Sequence, residues 1–359
     1  MMAKLRTPVV LIGPFPPPVH GFSMIMDALA NRVEAFGVSG RLDQSSKDLR
    51  GTRGHIVRLY KCIFTFFSVL FSGFEPRIYV VGVNGGGGMI YTLVHLLAVV
   101  SRRRSGYLYH HSYAYINRKS LVMRFICFLG GARLGHIFLD GAMLFAFGKM
   151  YDVRGDVFSL PNAAFVPDHG ACINLDTANK SKLIRIGFLS NLTREKGLYE
   201  FLRLAREVRI AGLPVEVVLA GPIVSSVDKE AVARAQCLGD LTWVGPKYGD
   251  EKGIFFASLD LFVFPTEYQN EAQPIVIYEA LSVGARVISK DRGSVACQIG
   301  KAGVVVDRRE DFVAVVINEI NRLLSASSEE RVRLRSIARQ RFQEDVRLSE
   351  RTFRDIFLG

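Results

Sequence analysis

Short, continuously apolar runs recur along the chain, each separated from the next by turn residues or by a stretch of helical periodicity. In the first half they are VVLIG (9–13), RIYVVGV (77–83), GYLYH (106–110) and HIFLD (136–140). In the second half they are IRIGFLS (184–190), VEVVLAG (215–221), LTWVG (241–245), DLFVFP (260–265), ARVIS (285–289) and AGVVV (302–306). Strands buried on both faces read as unbroken apolar runs, and their alternation with helices predicts parallel α/β sheets. A chain of 359 residues exceeds the size at which one core keeps growing. Two doubly wound, Rossmann-like domains are therefore expected, facing a central cleft. Residues 161–182 show turn residues without periodicity and mark the boundary. The predicted division is an N-terminal domain over 1–165, a C-terminal domain over 166–340, and a final helix over 341–359 that packs back toward the N-terminal domain.

Charge changes this picture by separating the halves. Residues 1–170 carry 19 Lys/Arg against 9 Asp/Glu, whereas residues 171–359 carry 27 against 25. The balance is +10 against +2 of a total of +12, which points to an anionic partner for the first half. The five cysteines, Cys62, Cys127, Cys172, Cys237 and Cys297, form no CxxC pair. That spacing disfavours zinc and disulfide frameworks and suits a reducing cytosol. The opening MMAKLRTPVVLIGPFPPP reads as a buried first strand, since VVLIG is too short for a signal peptide core. No run is long enough to span a bilayer.

The strongest chemical signal is Glu271-Ala-Gln-Pro-Ile-Val-Ile-Tyr-Glu279. Pro274 suits the first turn of a helix, which leaves Glu271 in the preceding loop and Glu279 inside the helix. Eight residues at helical rise span about 12 Å, too far for the paired carboxylates of a retaining glycosidase. The amides of Ile275 and Val276 fall between the two acids, and a helix N-terminus is a site for a diphosphate. Upstream, FLSNLTREKG (188–197) ends a strand, and Lys196 opens the following helix, where its charge could neutralise a departing diphosphate. A solvated lysine at a helix start is the plainer alternative.

Together these segments resemble the family 4 glycosyltransferases of the GT-B fold, whose signature is Glu-x7-Glu. The likeness rests on EAQPIVIYEALSVGARVIS together with the EKG turn (195–197), VLAGP (218–222), WVG (243–245), ASLDLFVFPT (257–266) and LPNA (160–163), in the expected order. The resemblance implies a retaining transferase that binds a nucleotide-sugar, UDP- or GDP-linked, mainly through its C-terminal domain and needs no cofactor. It carries Glu271 to the donor-sugar hydroxyls, Glu279 to the ribose and Lys196 to the diphosphate. The family usually has Arg five residues before that lysine. Here the position is Asn191, with Arg194 the candidate replacement, and the usual Phe-Gly is Gln273-Pro274. Lys247 and Tyr248, after LTWVG, are candidates for the base pocket, with an ordinary solvated loop as the alternative.

In the first half, GPFPPPVHGFS (13–23) resembles the family's PPxxGG loop, with Gly21 matching a glycine and His20 replacing another. His20 is an acceptor-side candidate or an exposed loop residue. His110 and His111 end the strand GYLYH, where the family often has one His touching the transferred sugar. Neighbouring side chains point oppositely, so one should face the cleft and the other pack inward. Asn84–Gly88 opens a helix without a following GK[ST], which excludes an ATPase P-loop. The mixed apolar and basic segments at 58–71, 95–104 and 117–130 are expected to be mostly core-facing helices, with basic ends suited to an anionic membrane surface.

No Asp-x-Asp occurs in the chain, so the usual carboxylate pair for a diphosphate-bound metal is missing and no metal site is expected. The reading is a metal-independent transferase on the cytoplasmic face of the inner membrane, acting on a lipid-linked saccharide in surface polysaccharide biosynthesis. A GT-B-fold epimerase or phosphorylase is the nearest alternative. A nucleic-acid-binding protein is a further one, but no helix-turn-helix, zinc or single-strand-binding signature supports it.

Overall fold

A computed structural model describes residues 4–47, 49, 51–73, 75–171 and 183–358. Cys172 and most of the segment after 171 that was read as a linker lie outside the described residues. The chain divides into two compact units. The first comprises the chain up to Phe165 together with Asn270–Gln273 and the end from Val346. The second comprises Val166–Gln269 and Pro274–Asp345.

The first unit runs β1 (Val9–Gly13), α1 (Gly21–Glu34), β2 (Ser39–Asp43), α2 (Gly51–Leu70), β3 (Ile78–Val83), α3 (Met89–Ser101), β4 (Ser105–His110), α4 (Ala114–Asn117), α5 (Leu121–Gly130), β5 (Leu134–Phe138), α6 (Gly141–Gly148) and β6 (Val157–Ser159). Its strands form a six-stranded sheet in the order β2-β1-β3-β4-β5-β6, and every pairing is parallel. The chain's last residues dock on this unit. Arg6 Nε donates to the Leu358 carbonyl at 2.6 Å, Ser349 Oγ to the Pro161 carbonyl at 2.9 Å, and Phe353 packs on Phe36.

The second unit runs β7 (Ile184–Leu189), α7 (Leu198–Ile210), β8 (Val215–Ala220), α8 (Ser226–Cys237), β9 (Thr242–Trp243), α9 (Gly249–Ala257), β10 (Leu261–Phe264), α10 (Ile275–Ser282), β11 (Arg286–Lys290), α11 (Val295–Ile299), β12 (Gly303–Val306), α12 (Phe312–Ser325) and α13 (Ser328–Phe357). α13 ends among residues of the first unit. The sheet order is β12-β11-β10-β7-β8-β9, again all parallel. Phe188, Phe256, Phe262 and Phe264 fill its core.

Both halves are thus Rossmann-like, as the apolar runs predict. Two strands escaped the pattern. β2 is SGRLD at a sheet edge, half-buried throughout, and β6 is only three residues long. Neither has the continuous apolar run that doubly buried strands show. Cys62, Cys127 and Cys237 are free thiols.

A feature invisible to the pattern is the ion pair between Arg286 Nε on β11 and Glu319 Oε1 on α12, both buried. Removing one member leaves the other charge in a poorly solvated site. Glu319→Ala is expected to lower the unfolding free energy of this unit by about 3 kcal/mol, read from urea denaturation followed by far-ultraviolet circular dichroism. A change below about 0.5 kcal/mol would mean that Arg286 finds solvent or another acceptor.

Candidate functional site

In an open parallel sheet, ligands bind outside the carboxyl ends of the strands where the strand order reverses. In the second unit that reversal lies between β7 and β10. The loops leaving these two strands carry Asn191–Gly197 and Pro265–Pro274, which are the segments singled out from the sequence.

The two loops are tied together by backbone. The Glu267 N–H donates to the Glu195 carbonyl at 2.8 Å. Gly197 has φ of +90°, and a Cβ there would lie 2.2 Å from the Pro265 carbonyl oxygen. The EKG turn therefore needs glycine for both conformation and space. Lys196, on this turn, holds its Nζ 5.0 Å from the Tyr268 ring centroid. Arg194 is exposed and lies over Tyr199, 4.5 Å from the ring centroid, and Asn191 is exposed.

α10 begins at Ile275 with Pro274 as its N-cap, one position earlier than the first-turn placement read from the sequence. Proline supplies no capping side chain, so the first-turn amides of Ile275 and Val276 rely on partners outside the helix. The Pro274 carbonyl accepts from the buried Gln298 Nε2 at 2.8 Å, which fixes the entry into the helix.

Glu279, one turn further along α10, is buried with 2% of its surface exposed. Lys252 on α9 reaches it, with Nζ 2.7 Å from Oε1 and 2.6 Å from Oε2. Only the Oε1 contact has hydrogen-bond geometry, and Oε2 has no directed donor. A buried carboxylate without a cation is costly, so Lys252 is what allows an ionised Glu279 here. Sequence reasoning missed Lys252. Its signal was a lone lysine between Gly249 and the apolar Ile254–Phe256, on a helix that packs against α10. Lys247 lies 3.7 Å from Glu251, and Tyr248 is the exposed N-cap residue of α9.

Glu271 belongs to the first unit with Asn270–Gln273, and its side chain is nearly buried. Its loop is clamped by Asn162 of the LPNA segment. The Asn162 N–H donates to Gln273 Oε1 at 2.7 Å, and Asn162 Nδ2 donates to the Gln273 carbonyl at 3.0 Å. Asn162 and Gln273 were not assigned this role from the sequence, although both lie in quoted motifs.

In the first unit the strand order reverses between β1 and β3. His20 and Gly21 follow β1. His20 is the N-cap of α1, its Nδ1 accepting from the Ser23 N–H at 3.2 Å while Ser23 Oγ accepts from the His20 N–H at 3.1 Å. Desolvation first and the Arg58 charge second lower its pKa, which keeps Nδ1 an acceptor. Gly21 is the first residue of that helix.

Of the two strand-end histidines, His110 is the one that packs inward. It is fully buried, with Nδ1 2.8 Å from the Tyr115 hydroxyl and Nε2 3.0 Å from His136 Nδ1. Its ring stacks on Phe138 at 4.5 Å. Both ring nitrogens are committed inside an aromatic core, so His110 is a packing residue. Of the adjacent pair, His111 alone stays a site candidate. Its ring lies between Phe22 and Tyr109, with Nε2 buried and without a hydrogen-bond partner. Burial lowers its pKa to about 3.

With this geometry in place, comparison with known proteins is decisive for the second unit. Residues 176–341 match the family model described as glycosyl transferases group 1. That stretch is therefore similar to group 1 glycosyltransferases. Several solved structures share the GT-B fold over nearly the whole chain. Anabaena HepE in complex with UDP has a TM-score of 0.67 at 15% identity, covering 96% of this chain and 98% of that one. Sucrose-phosphate synthase from Thermosynechococcus elongatus has a TM-score of 0.67 at 14% identity, covering 98% and 99%. WaaG, a glycosyltransferase involved in lipopolysaccharide biosynthesis, has a TM-score of 0.60 at 14% identity, covering 97% and 99%. No curated protein matches the sequence at a significant level.

Two outcomes follow from this geometry. Lys252→Met should destabilise the second unit by about 3 kcal/mol. Adding Glu279→Gln should restore most of that loss, because the partner left behind is then neutral. An additive double-mutant cycle would show that the two side chains do not depend on each other.

The second concerns pH. Burial lowers the pKa of His95 to about 4, of His111 to about 3 and of His136 to about 4. In the unfolded chain these groups titrate near 6.5, so below that pH the unfolded state binds protons that the folded state refuses. Stability should therefore be greatest above about pH 7 and fall as pH drops toward 4. Urea midpoints that stay level over that range would contradict the buried, neutral placement of these rings.

Proposed function

We propose that the protein is a retaining, metal-independent glycosyltransferase. It moves a sugar from a UDP- or GDP-linked donor to a lipid-linked saccharide on the cytoplasmic face of the inner membrane, in the synthesis of a surface polysaccharide. The observation that carries the donor half is Glu279, a buried carboxylate held charged by Lys252 with one oxygen lacking a directed donor. A ribose diol supplies the hydroxyl donors that such an oxygen accepts.

The rest of the donor follows in order along α10. The amides of Ile275 and Val276 at its N-terminus receive the diphosphate, and Lys196 on the neighbouring turn adds a positive charge. Charge on the diphosphate grows as the glycosidic bond breaks, so a cation placed there lowers the barrier more than it strengthens binding. Glu271, its loop clamped by Asn162, holds the sugar hydroxyls. With these groups present the diphosphate charge is met without a divalent ion. Related folds support the class of donor, since HepE is described in complexes with UDP and with UDP-glucose.

The acceptor half rests on the charge excess of the first half of the chain, +10 against +2. No described helix is long and apolar enough to cross a membrane. Attachment would be peripheral, with basic residues drawn to anionic headgroups.

Activity should survive excess EDTA; complete loss restored by Mg²⁺ or Mn²⁺ would refute the proposed diphosphate site. The two carboxylates should separate in kinetics. Glu279→Gln is expected to raise the donor KM and weaken the free nucleoside diphosphate, because the ribose is gripped equally throughout the reaction. Glu271→Gln should chiefly lower kcat and leave the nucleoside diphosphate bound almost normally. The reverse pattern in isothermal titration and steady-state kinetics would overturn this placement of the donor.

A further inference from the structure

Three successive connections of the first sheet, β2 to β3, β3 to β4 and β4 to β5, all step in one direction along it. Right-handed crossovers therefore place α2, α3 and α5 on the same face, and they pack there side by side. A helix in this position normally turns its large apolar residues inward.

α2 does the opposite. Its buried residues are Gly54, Cys62, Thr65 and Val69, which are small or polar. Its large residues point outward at helical spacing: Ile56, Tyr60, Ile63, Phe64 and Phe67, continued by Phe71 just past its end. Phe64 is 57% exposed and Phe71 78%. α5 buries Met123 and Ile126 in the ordinary way but adds an outer row, with Leu121, Phe125 and Phe128 exposed at positions i, i+4 and i+7. Apolar side chains exposed on this scale in adjacent helices mark an interaction surface.

Charge on the same stretch identifies what the surface meets. Between residues 49 and 139 the chain has twelve Lys/Arg and a single acid, Glu75. α2, α3 and α5 contain no Asp or Glu. Arg53 sits near the start of α2, Arg102–Arg104 follow α3, and Arg118 and Lys119 precede α5. A second copy of this chain would bring the same uncompensated positive charge against it, which opposes self-association. An anionic bilayer instead offers negative headgroups to the basic helix ends and acyl chains to the aromatic rows, and two such signals together give stable attachment.

We propose that the outer face of α2, α3 and α5 is a membrane-insertion surface, lying in the plane of an anionic bilayer with the rows of α2 and α5 in the acyl boundary. This rests on the membrane reading above and goes further, naming the surface and making apolar insertion part of the attachment. The catalytic domain needs no part of it.

The test uses the full-length protein, whose only tryptophan is Trp243. Phe64→Trp and Phe128→Trp, each made with Trp243→Phe, are mixed with phosphatidylglycerol–phosphatidylcholine vesicles carrying brominated acyl chains. Tryptophan at 64 and at 128 should shift to the blue and be quenched, whereas Trp243 of the wild type should not be. The double variant Phe64→Asp/Phe128→Asp should partition onto these vesicles at least about tenfold more weakly. Unchanged Trp243 emission and circular dichroism would show that it still folds.

If the wild type co-sediments with vesicles but tryptophan at 64 and 128 stays unquenched, this surface is wrong and the membrane reading survives. If the wild type does not bind vesicles at all, both fail. A dimer in analytical ultracentrifugation that the double Asp variant dissolves would assign the face to a second copy and overturn the proposal.

Discussion

The handedness of the crossover between parallel strands governs most of what this chain can do. In each sheet the first strand lies inside the order, so successive crossovers depart from it in opposite directions and their loops part between two neighbouring strands. In the second unit that point receives the EKG turn after β7 and the loop after β10. The same rule puts α2, α3 and α5 on one face of the first sheet. The proposed donor site and the outward-facing apolar surface thus follow from one steric preference, applied to two doubly wound strand orders.

Within the second unit, the sheet brings the right backbone together and a few close approaches make it specific. Gly197 can be nothing larger, because the Pro265 carbonyl occupies the place of its side chain. The bond from the Glu267 N–H to the Glu195 carbonyl then couples the turn bearing Lys196 to the loop that leads toward α10. Lys252 contributes differently. It permits a charge at a depth where a lone carboxylate would be neutralised, and it holds that carboxylate from one side. Pre-orientation of this kind reduces the entropy lost when a ligand's hydroxyls arrive.

Legibility of the sequence tracked how strongly burial constrains each residue. Strands buried on both faces, such as VVLIG and VEVVLAG, could be read from apolarity alone. β2 could not, because an edge strand with half-buried residues has no such signature. The Glu-x7-Glu segment was legible as chemistry, yet neither Lys252 nor the clamp from Asn162 was, since both depend on contacts between distant segments. The segment at 58–71 misled for a related reason. A helical apolar period predicts a helix and an apolar face but not which way that face turns, and on α2 it turns outward. Which of His110 and His111 packs inward stayed open for a similar reason, because position at a strand end does not reveal a partner 26 residues away in His136.

The inversion of α2 also has an energetic logic. Apolar residues turned to water forgo the burial that stabilises a helix on its sheet, roughly 25 cal/mol for each Å² left exposed. Gly54 lies tight against the Leu49 carbonyl of the preceding loop, and Lys61 anchors the helix by donating from Nζ to Asp43 Oδ2 and, at 2.7 Å, to the Ser45 carbonyl. This tether lies beside β2, where the sheet ends. Polar anchoring on the inside therefore replaces part of the hydrophobic anchoring that an ordinary crossover helix has. It leaves the large side chains on the outer side, where the proposed bilayer contact needs them.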